Sequence, residues 1–521
     1  MLYILYSLQG GGLGVGSDSR HCPAKQISLY KFVRLAGDLL MPSLFVPYIT
    51  MLAGLADSNG SAPYCFNLLK MNANGSSNIS LDHFFSSLQQ YYNNLRQETP
   101  VGPDHTIYRT KPMTRGISPQ EVEGLMAVLE LLTTLAKRCE AARLCMVEHP
   151  SWATLATIIG LLACSMPTHI KSRLVLFLAA LARSPDNVHT IWQHVEVQQL
   201  VGGQGGKPGV TEELEEIETR YEEYPLTRSF LELLDKLTDV EIPGNLGAGS
   251  RAPGLLPYIN YVQDSVLLKF SSRTYKDPAE RWEVASLALS LLQKLVNEYE
   301  PNIADFQGGS NAVGLHPGFY ILLHLHQSSL LLRTVLYVIA ECKNLLDTFS
   351  PFPGKKKVEA AAGAALRLIY TGLKFSEDFI SAGRNAGASV VLTSLSKLLL
   401  GINPRSGRAD HLLNISRYIL YGFWMPAAKF HAIHILTGVA ASPANQMDLL
   451  ATFTATNEIS HAVLKAFTEA LDAEEEEESN PPGSETKDYS AARLAIIELL
   501  QTGLNMASPT LAHFLLGFDV R

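Results

Sequence analysis

The chain has 521 residues, 47% hydrophobic and 18% charged. That is ample for a buried core and long for one compact domain, so it predicts either several domains or one elongated repeat-like array. The net charge of −8, from 42 Lys and Arg against 50 Asp and Glu, argues against a general nucleic-acid binder, because phosphate binding needs clustered basic side chains. The six cysteines, Cys22, Cys65, Cys139, Cys145, Cys164 and Cys342, make no C-x-x-C pair. Their scatter suits free thiols in a reducing compartment, not a disulfide framework, and makes the Asn-x-Ser triplets at Asn59, Asn74, Asn78 and Asn414 chance matches.

In chain order, the apolar stretch from Met1 to Leu8 lacks a basic n-region and a small-residue cleavage site, so it does not read as a signal peptide. Residues 1–25 are expected to be a poorly ordered or apolar terminal segment. From residue 26 onward, helical punctuation recurs. Five dipeptides set a capping residue before proline: Ser118-Pro119, Ser184-Pro185, Asp277-Pro278, Ser442-Pro443 and Ser508-Pro509. Such a side chain satisfies a free N–H at a helix start, and proline at the first helical position loses nothing. Glu121 and Glu280 stand at capping-box spacing after two of these starts.

The stretches that follow have helical period. Val122, Leu125, Met126, Leu129, Leu132 and Ala136 fall on one face, and Val128, Leu131 and Leu135 widen it. Leu226, Phe230, Leu233, Leu234, Leu237 and Val240 form a second stripe. Val284, Ala288, Leu291, Leu292, Leu295 and Tyr299 form a third. Widened stripes suit helices that touch neighbours on both sides. The longest apolar run, Trp152 to Met166 between Pro150 and Pro167, is shorter than the roughly 20 residues of a membrane span and predicts a buried helix. Alternating strand patterns are nearly absent, and no strict repeat period appears. The expectation is an all-α fold in which any solenoid is irregular. The acidic run at 474–487 is expected to be a solvated, disordered loop.

Candidate chemistry is sparse. The cluster Gly10-Gly11-Gly12-Leu13-Gly14-Val15-Gly16 does not fit G-x-G-x-x-G and meets Pro23 before any helix start, so it reads as a linker. Gly354-Lys355-Lys356-Lys357 has Phe349 where a Walker loop needs its first glycine. The better reading is a proline-set turn over Pro351-Phe352-Pro353-Gly354 ahead of a helix near Lys355; the three lysines alone make a weak nuclear-localisation or phosphate patch. The pairs His431 and His434, and His324 and His326, lack a nearby Glu or Cys at ligand spacing. The acids Glu212, Glu213, Glu215, Glu216, Glu218, Glu222 and Glu223 read as a solvated helix face, with a basic partner as the sharper alternative. Phe84-Phe85 and Tyr91-Tyr92 read as core packing. No catalytic, cofactor-binding or metal-ligating residue is assigned, and no cofactor is expected.

Seven segments, taken in order, resemble one family. They are Phe32-Val33-Arg34 with Gly37-Asp38-Leu39-Leu40; Glu148-His149-Pro150-Ser151-Trp152; Glu222-Glu223-Tyr224-Pro225-Leu226-Thr227-Arg228; Asn245-Leu246-Gly247-Ala248-Gly249; Pro351-Phe352-Pro353-Gly354-Lys355-Lys356; Gly401-Ile402-Asn403-Pro404-Arg405; and Leu515-Leu516-Gly517-Phe518. Their order and spacing resemble the middle region of the large inner-ring scaffold nucleoporins of the nuclear pore complex, from about Gln26 to the C-terminus. Met1 to Pro23 departs from the family pattern. The resemblance implies an irregular α-solenoid of HEAT- and armadillo-like helix pairs, continuous over 26–521, and a non-enzymatic role at the nuclear envelope, within a large symmetric assembly. It implies binding to other inner-ring nucleoporins, including linker nucleoporins that dock through short helical motifs. It also implies a partial chain, because full members are several times longer. The rival classes are a generic armadillo- or HEAT-like adaptor and a helical enzyme. The four tryptophans, Trp152, Trp192, Trp282 and Trp424, are too irregular for the ladder an adaptor groove uses.

Overall fold

The computed structural model describes residues 31–37, 39–71, 79–97, 117–202, 209–243, 246, 255–307, 315–348, 350–422, 424–472 and 485–520. Among them the chain is all-α; the one β-bridge joins Asn403 to Arg408. They divide into two compact units, one ending at Pro243 and the other built from Tyr221–Tyr224 and the chain after Gly244.

The first unit contains α1 (Phe45–Leu55), α2 (Ala62–Met71), α3 (Leu81–Gln97), α4 (Pro119–Arg138), α5 (Glu140–Glu148), α6 (Thr154–Leu162), α7 (Thr168–Leu181), α8 (Pro185–Val197), α9 (Val210–Glu212) and α10 (Pro225–Leu237). The helices stack in two rows. One row runs α1, α4, α7, α10, each packed on the next, and the other runs α3, α6, α8. The widened stripe of α4 follows from its place inside a row: Val128, Leu131 and Leu135 are buried together with Leu125, Leu129, Leu132 and Ala136. α6 is the buried helix expected from the apolar run. Leu155, Ile158, Ile159, Leu161 and Leu162 are all buried, each worth about 1.5–3 kcal/mol relative to exposure. Gly160 admits the ring of Tyr92 where a Cβ would collide with it.

The second unit contains α11 (Leu256–Asn260), α12 (Glu280–Asn297), α13 (Pro317–Leu325), α14 (Leu330–Leu346), α15 (Lys355–Lys374), α16 (Ser376–Asn385), α17 (Asp410–Arg417), α18 (Pro426–Ala440), α19 (Gln446–Phe453), α20 (Asn457–Asp472), α21 (Glu485–Leu504) and α22 (Leu511–Leu515). It repeats the two-row plan, with α12, α15, α18 and α21 in one row and α14, α17 and α20 in the other. Within each unit this is the irregular stacking of helix pairs that an α-solenoid uses.

The expected caps divide. Ser118 caps α4 with a full capping box: its Oγ accepts from the Glu121 N–H at 3.3 Å, and Glu121 Oε2 accepts from the Ser118 N–H at 2.8 Å. Ser184 precedes α8 but its Oγ accepts from Nε of Arg143 at 2.8 Å. Asp277 and Glu280 form no box. Asp277 accepts from the Ala279 N–H, α12 begins at Glu280 itself, and the Glu280 carboxylate accepts from the N–H of Tyr224 at 3.1 Å. Ser442-Pro443 opens a 3-10 turn, and α22 begins after Thr510 rather than at Pro509. In these cases a tertiary partner or a tighter first turn took the position that local spacing assigned to a cap.

The predicted turn at Gly354 is present. Gly354 has φ +83°, and a Cβ there would strike the Cβ of Ala279, so this position needs glycine for both conformation and space. Cys139, Cys164 and Cys342 are buried, Cys65 and Cys145 half-buried, and all five are free thiols. The glycine cluster at 10–16 and the 1–25 segment lie outside the described residues. So does the acidic run at 474–487 as far as residue 484, after which α21 begins.

Candidate functional site

A sizeable concavity among the described residues is a groove of about 1080 Å³ between α3 and α4, lined at one side by Phe45 of α1. Its floor is apolar, from Phe84 and Leu88 of α3 and Leu125 and Val128 of α4; its rim is polar, from His83, Asn94, Gln120 and Glu121. The floor side chains are part of the unit's core, which fixes the walls.

Two features set this groove apart from an ordinary gap between helices. Gly124 stands in mid-helix in α4, where glycine costs about 1 kcal/mol relative to alanine. A Cβ there would meet only the ring of Phe45, at 4.0 Å. The glycine is therefore not needed for close packing, and it leaves the groove open. The second feature is the rim. The Glu121 carboxylate that completes the α4 capping box also accepts from the Tyr91 hydroxyl at 3.3 Å. Burial first, and then the Glu121 charge, push the Tyr91 phenol up, so it stays a neutral donor.

α3 is fixed from the other side as well. Trp152 stacks between Phe85 at 4.6 Å and His149 at 4.0 Å, and its Nε1 donates to Asp82 at 2.6 Å. Nε2 of Gln89 donates to the carbonyls of Ser151 and Trp152. The groove thus has preformed walls, which is what docking of a rigid element requires.

The residues singled out from sequence scatter elsewhere. Phe84 and Phe85 pack as expected, while Tyr91 lines the groove rim. Lys357 pairs with Glu283 at 2.8 Å and Asp277 at 3.6 Å, and Lys355 lies 4.9 Å over the Trp424 ring, so two of the three lysines are held internally. His326 is fully buried, with Nε2 2.9 Å from Ser376 Oγ and Nδ1 2.8 Å from the Leu322 carbonyl. His431 is pushed down to about 4 by burial, then by Arg367 and His434, and its ring lies tilted against Tyr370, 5.5 Å between centroids. Among the described residues no three His, Cys, Asp or Glu come together as a metal site.

The reading of the acidic run as a solvated face is corrected in part. Glu215, Glu216 and Glu222 are exposed, but Glu213 and Glu218 are buried. Glu213 pairs with the buried Lys171, and Glu218 accepts from the N–H groups of Leu226 and Thr227. A charge count could not reveal this, because the partners are 42 and 9 residues away. The groove itself had one local signal in the sequence, the glycine interrupting the α4 stripe.

Comparison with known proteins decides the family. A family model described as the nuclear pore complex scaffold, nucleoporins 186/192/205, matches residues 23–521. The chain belongs to that family. It is 38% identical to human Nuclear pore complex protein Nup205 over 99% of this chain and 27% of the relative, and 35% identical to the Drosophila melanogaster protein of that name over 89% and 23%. The Arabidopsis thaliana NUP205 is 25% identical over 61% of the chain and 16% of the relative. The chain spans about a quarter of the length of the first two relatives.

Membership makes this a segment of a nuclear pore complex scaffold nucleoporin. No helix among the described residues is long and apolar enough to cross a membrane. The segments that carried the resemblance in sequence sit largely at joints between helices: the Trp152 stack before α6, the turn into α10, the Gly354 turn before α15 and the Asn403–Arg408 bridge before α17.

Proposed function

We propose that this chain is a scaffold segment that binds other inner-ring nucleoporins, and that the α3–α4 groove receives a short helical motif of a linker nucleoporin. The single observation that carries the groove assignment is Gly124, a glycine within α4 that lines the groove and where an added Cβ would touch only the Phe45 ring, at 4.0 Å. An amphipathic helix lays an apolar stripe into such a channel and leaves its polar face to the rim. Family membership and the relatives' names support the choice of partner.

The test is Gly124→Leu. It adds helix propensity to α4 and fills the groove from its floor, so the fold is expected to hold or gain up to about 1 kcal/mol. Binding of the full chain to fluorescent helical-motif peptides from linker nucleoporins is expected to fall at least tenfold. Unchanged affinity in a folded Gly124→Leu chain rejects the groove as the docking site. Failure of the wild-type chain to co-purify with any nucleoporin rejects the scaffold-segment reading.

A further inference from the structure

Between α8 and α10 the chain inverts the usual burial pattern. Ile217 is 37% exposed, whereas Glu213 is 7% and Glu218 1% exposed. The backbone explains how. Glu213–Glu218 is a π-helical turn in which the Thr219 N–H donates to the Leu214 carbonyl five residues back, with Thr219 Oγ1 on that carbonyl at 2.7 Å. In an α-helix, residues five apart point about 140° away from one another. In a turn closed by an i to i+5 bond they share a face. The extra residue therefore brings both carboxylates inward and turns the isoleucine out.

Each carboxylate has a separate task. Glu213 meets Lys171 of α7, itself 1% exposed. Glu218 receives N–H groups from the first turn of α10: Leu226 N–H at 2.7 Å, Thr227 N–H at 3.2 Å and the Thr227 hydroxyl at 2.5 Å. The i to i−4 pattern supplies no acceptor to the first amides of a helix, so Glu218 caps α10 from eight residues upstream. A regular α-helical register across the same residues would turn Ile217 inward and take Glu218 off α10. Hydrophobic burial favours that register, and the ion pair opposes it, because leaving Glu213 or Lys171 buried alone is costly.

We propose that Glu213–Glu218 is a two-register element, in which the buried Lys171–Glu213 pair holds Glu218 on the N-terminus of α10. Loss of the pair lets the extra residue relax, brings Ile217 inward and uncaps α10. The coupling from α7 to α10 thus runs through helix register, and it exists only while the extra residue is present. A scaffold helix row that carries such an element can loosen its last helix without unfolding the others.

The experiment is amide exchange in the full chain. Lys171→Met is expected to speed exchange at Leu226 and Thr227 by about tenfold or more, the scale of losing a charged acceptor, while α4 amides stay protected. Deleting the exposed Glu216 removes the extra residue, so in that background Lys171→Met is expected to change the Leu226 and Thr227 amides less than about twofold. Equal acceleration with and without the deletion overturns the proposal, since it reports only lost packing; no acceleration in the undeleted chain overturns it too. Should Lys171→Met also expose the α4 amides, Glu213→Gln takes its place in both backgrounds, with the same two criteria.

Discussion

Asp347 and Arg417, 70 residues apart, meet at 2.9 Å between Oδ1 and Nε, joining the end of α14 to the end of α17. The same oxygen accepts from the Tyr421 hydroxyl at 2.5 Å. Burial, and then the Asp347 bond and charge, push the Tyr421 phenol well up, so it remains a donor. Lys343, 3.9 Å from the other Asp347 oxygen, is at the limit of ion-pair distance and adds little in comparison.

Asp347→Ala takes this acceptor from the buried Tyr421 phenol and the partly exposed Arg417 guanidinium together, leaving the phenol the longer bond to the Lys343 carbonyl at 3.4 Å, at a cost of about 2 kcal/mol. It should appear as faster amide exchange along α17 and the last turn of α14. Asp347→Asn keeps an acceptor for Tyr421 and should cost about half as much. Equal exchange in wild type and Asp347→Ala would show that the joint does not hold α17.

Gly354 makes the sharpest conformational prediction. Gly354→Ala must carry a Cβ at φ +83° into the Cβ of Ala279, which lies just before α12. The combined strain and overlap should cost about 1–3 kcal/mol, read as a lower unfolding temperature. Ala279→Gly in the same chain removes the overlap but not the strain, so it should recover only part of the loss. Full recovery would show that the left-handed backbone carries no cost here.

His431 predicts how stability depends on pH. Its folded pKa is pushed down to about 4 from an ordinary value of 6.5 by burial, Arg367 and His434. His434 is lowered too, mainly by burial, with Glu498 of α21 opposing at 3.8 Å. Tyr370 and Phe430 complete the surroundings. The unfolded chain takes a proton below 6.5 that the folded chain refuses until about 4. Stability is therefore complete above pH 6.5 and declines as pH falls through that window. By pH 5 the His431 share is about 2 kcal/mol. His431→Gln should flatten the decline by that amount between pH 7 and 5 in parallel denaturation curves; identical slopes would rule His431 out as the titrating group.

Wherever the determinants were local, the sequence alone determined them. Ser118 and Glu121 are three residues apart, and the capping box they predict is present because each can reach the other's backbone within one turn. The stripes of α4, α10 and α12 likewise encode burial by spacing, and Pro351 to Gly354 encode a turn that only glycine completes. The seven family-like segments were equally legible, since most of them mark joints whose geometry is set within a few residues.

The tertiary structure alone decided the features that rest on distant partners. Glu280 sits at capping-box spacing, yet its carboxylate serves Tyr224, 56 residues earlier in the chain. Glu213 and Glu218 look like solvated acids by composition, but Lys171 and the first amides of α10 draw them inside, and one extra residue in the helix gives both the same face. The groove beside Gly124 is lined by Phe45, Tyr91 and Glu121 from three different helices, which only tertiary packing brings together. Spacing along a helix specifies which face is apolar; it carries no information about which polar group that face will meet across tens of residues, and desolvation makes that meeting decisive.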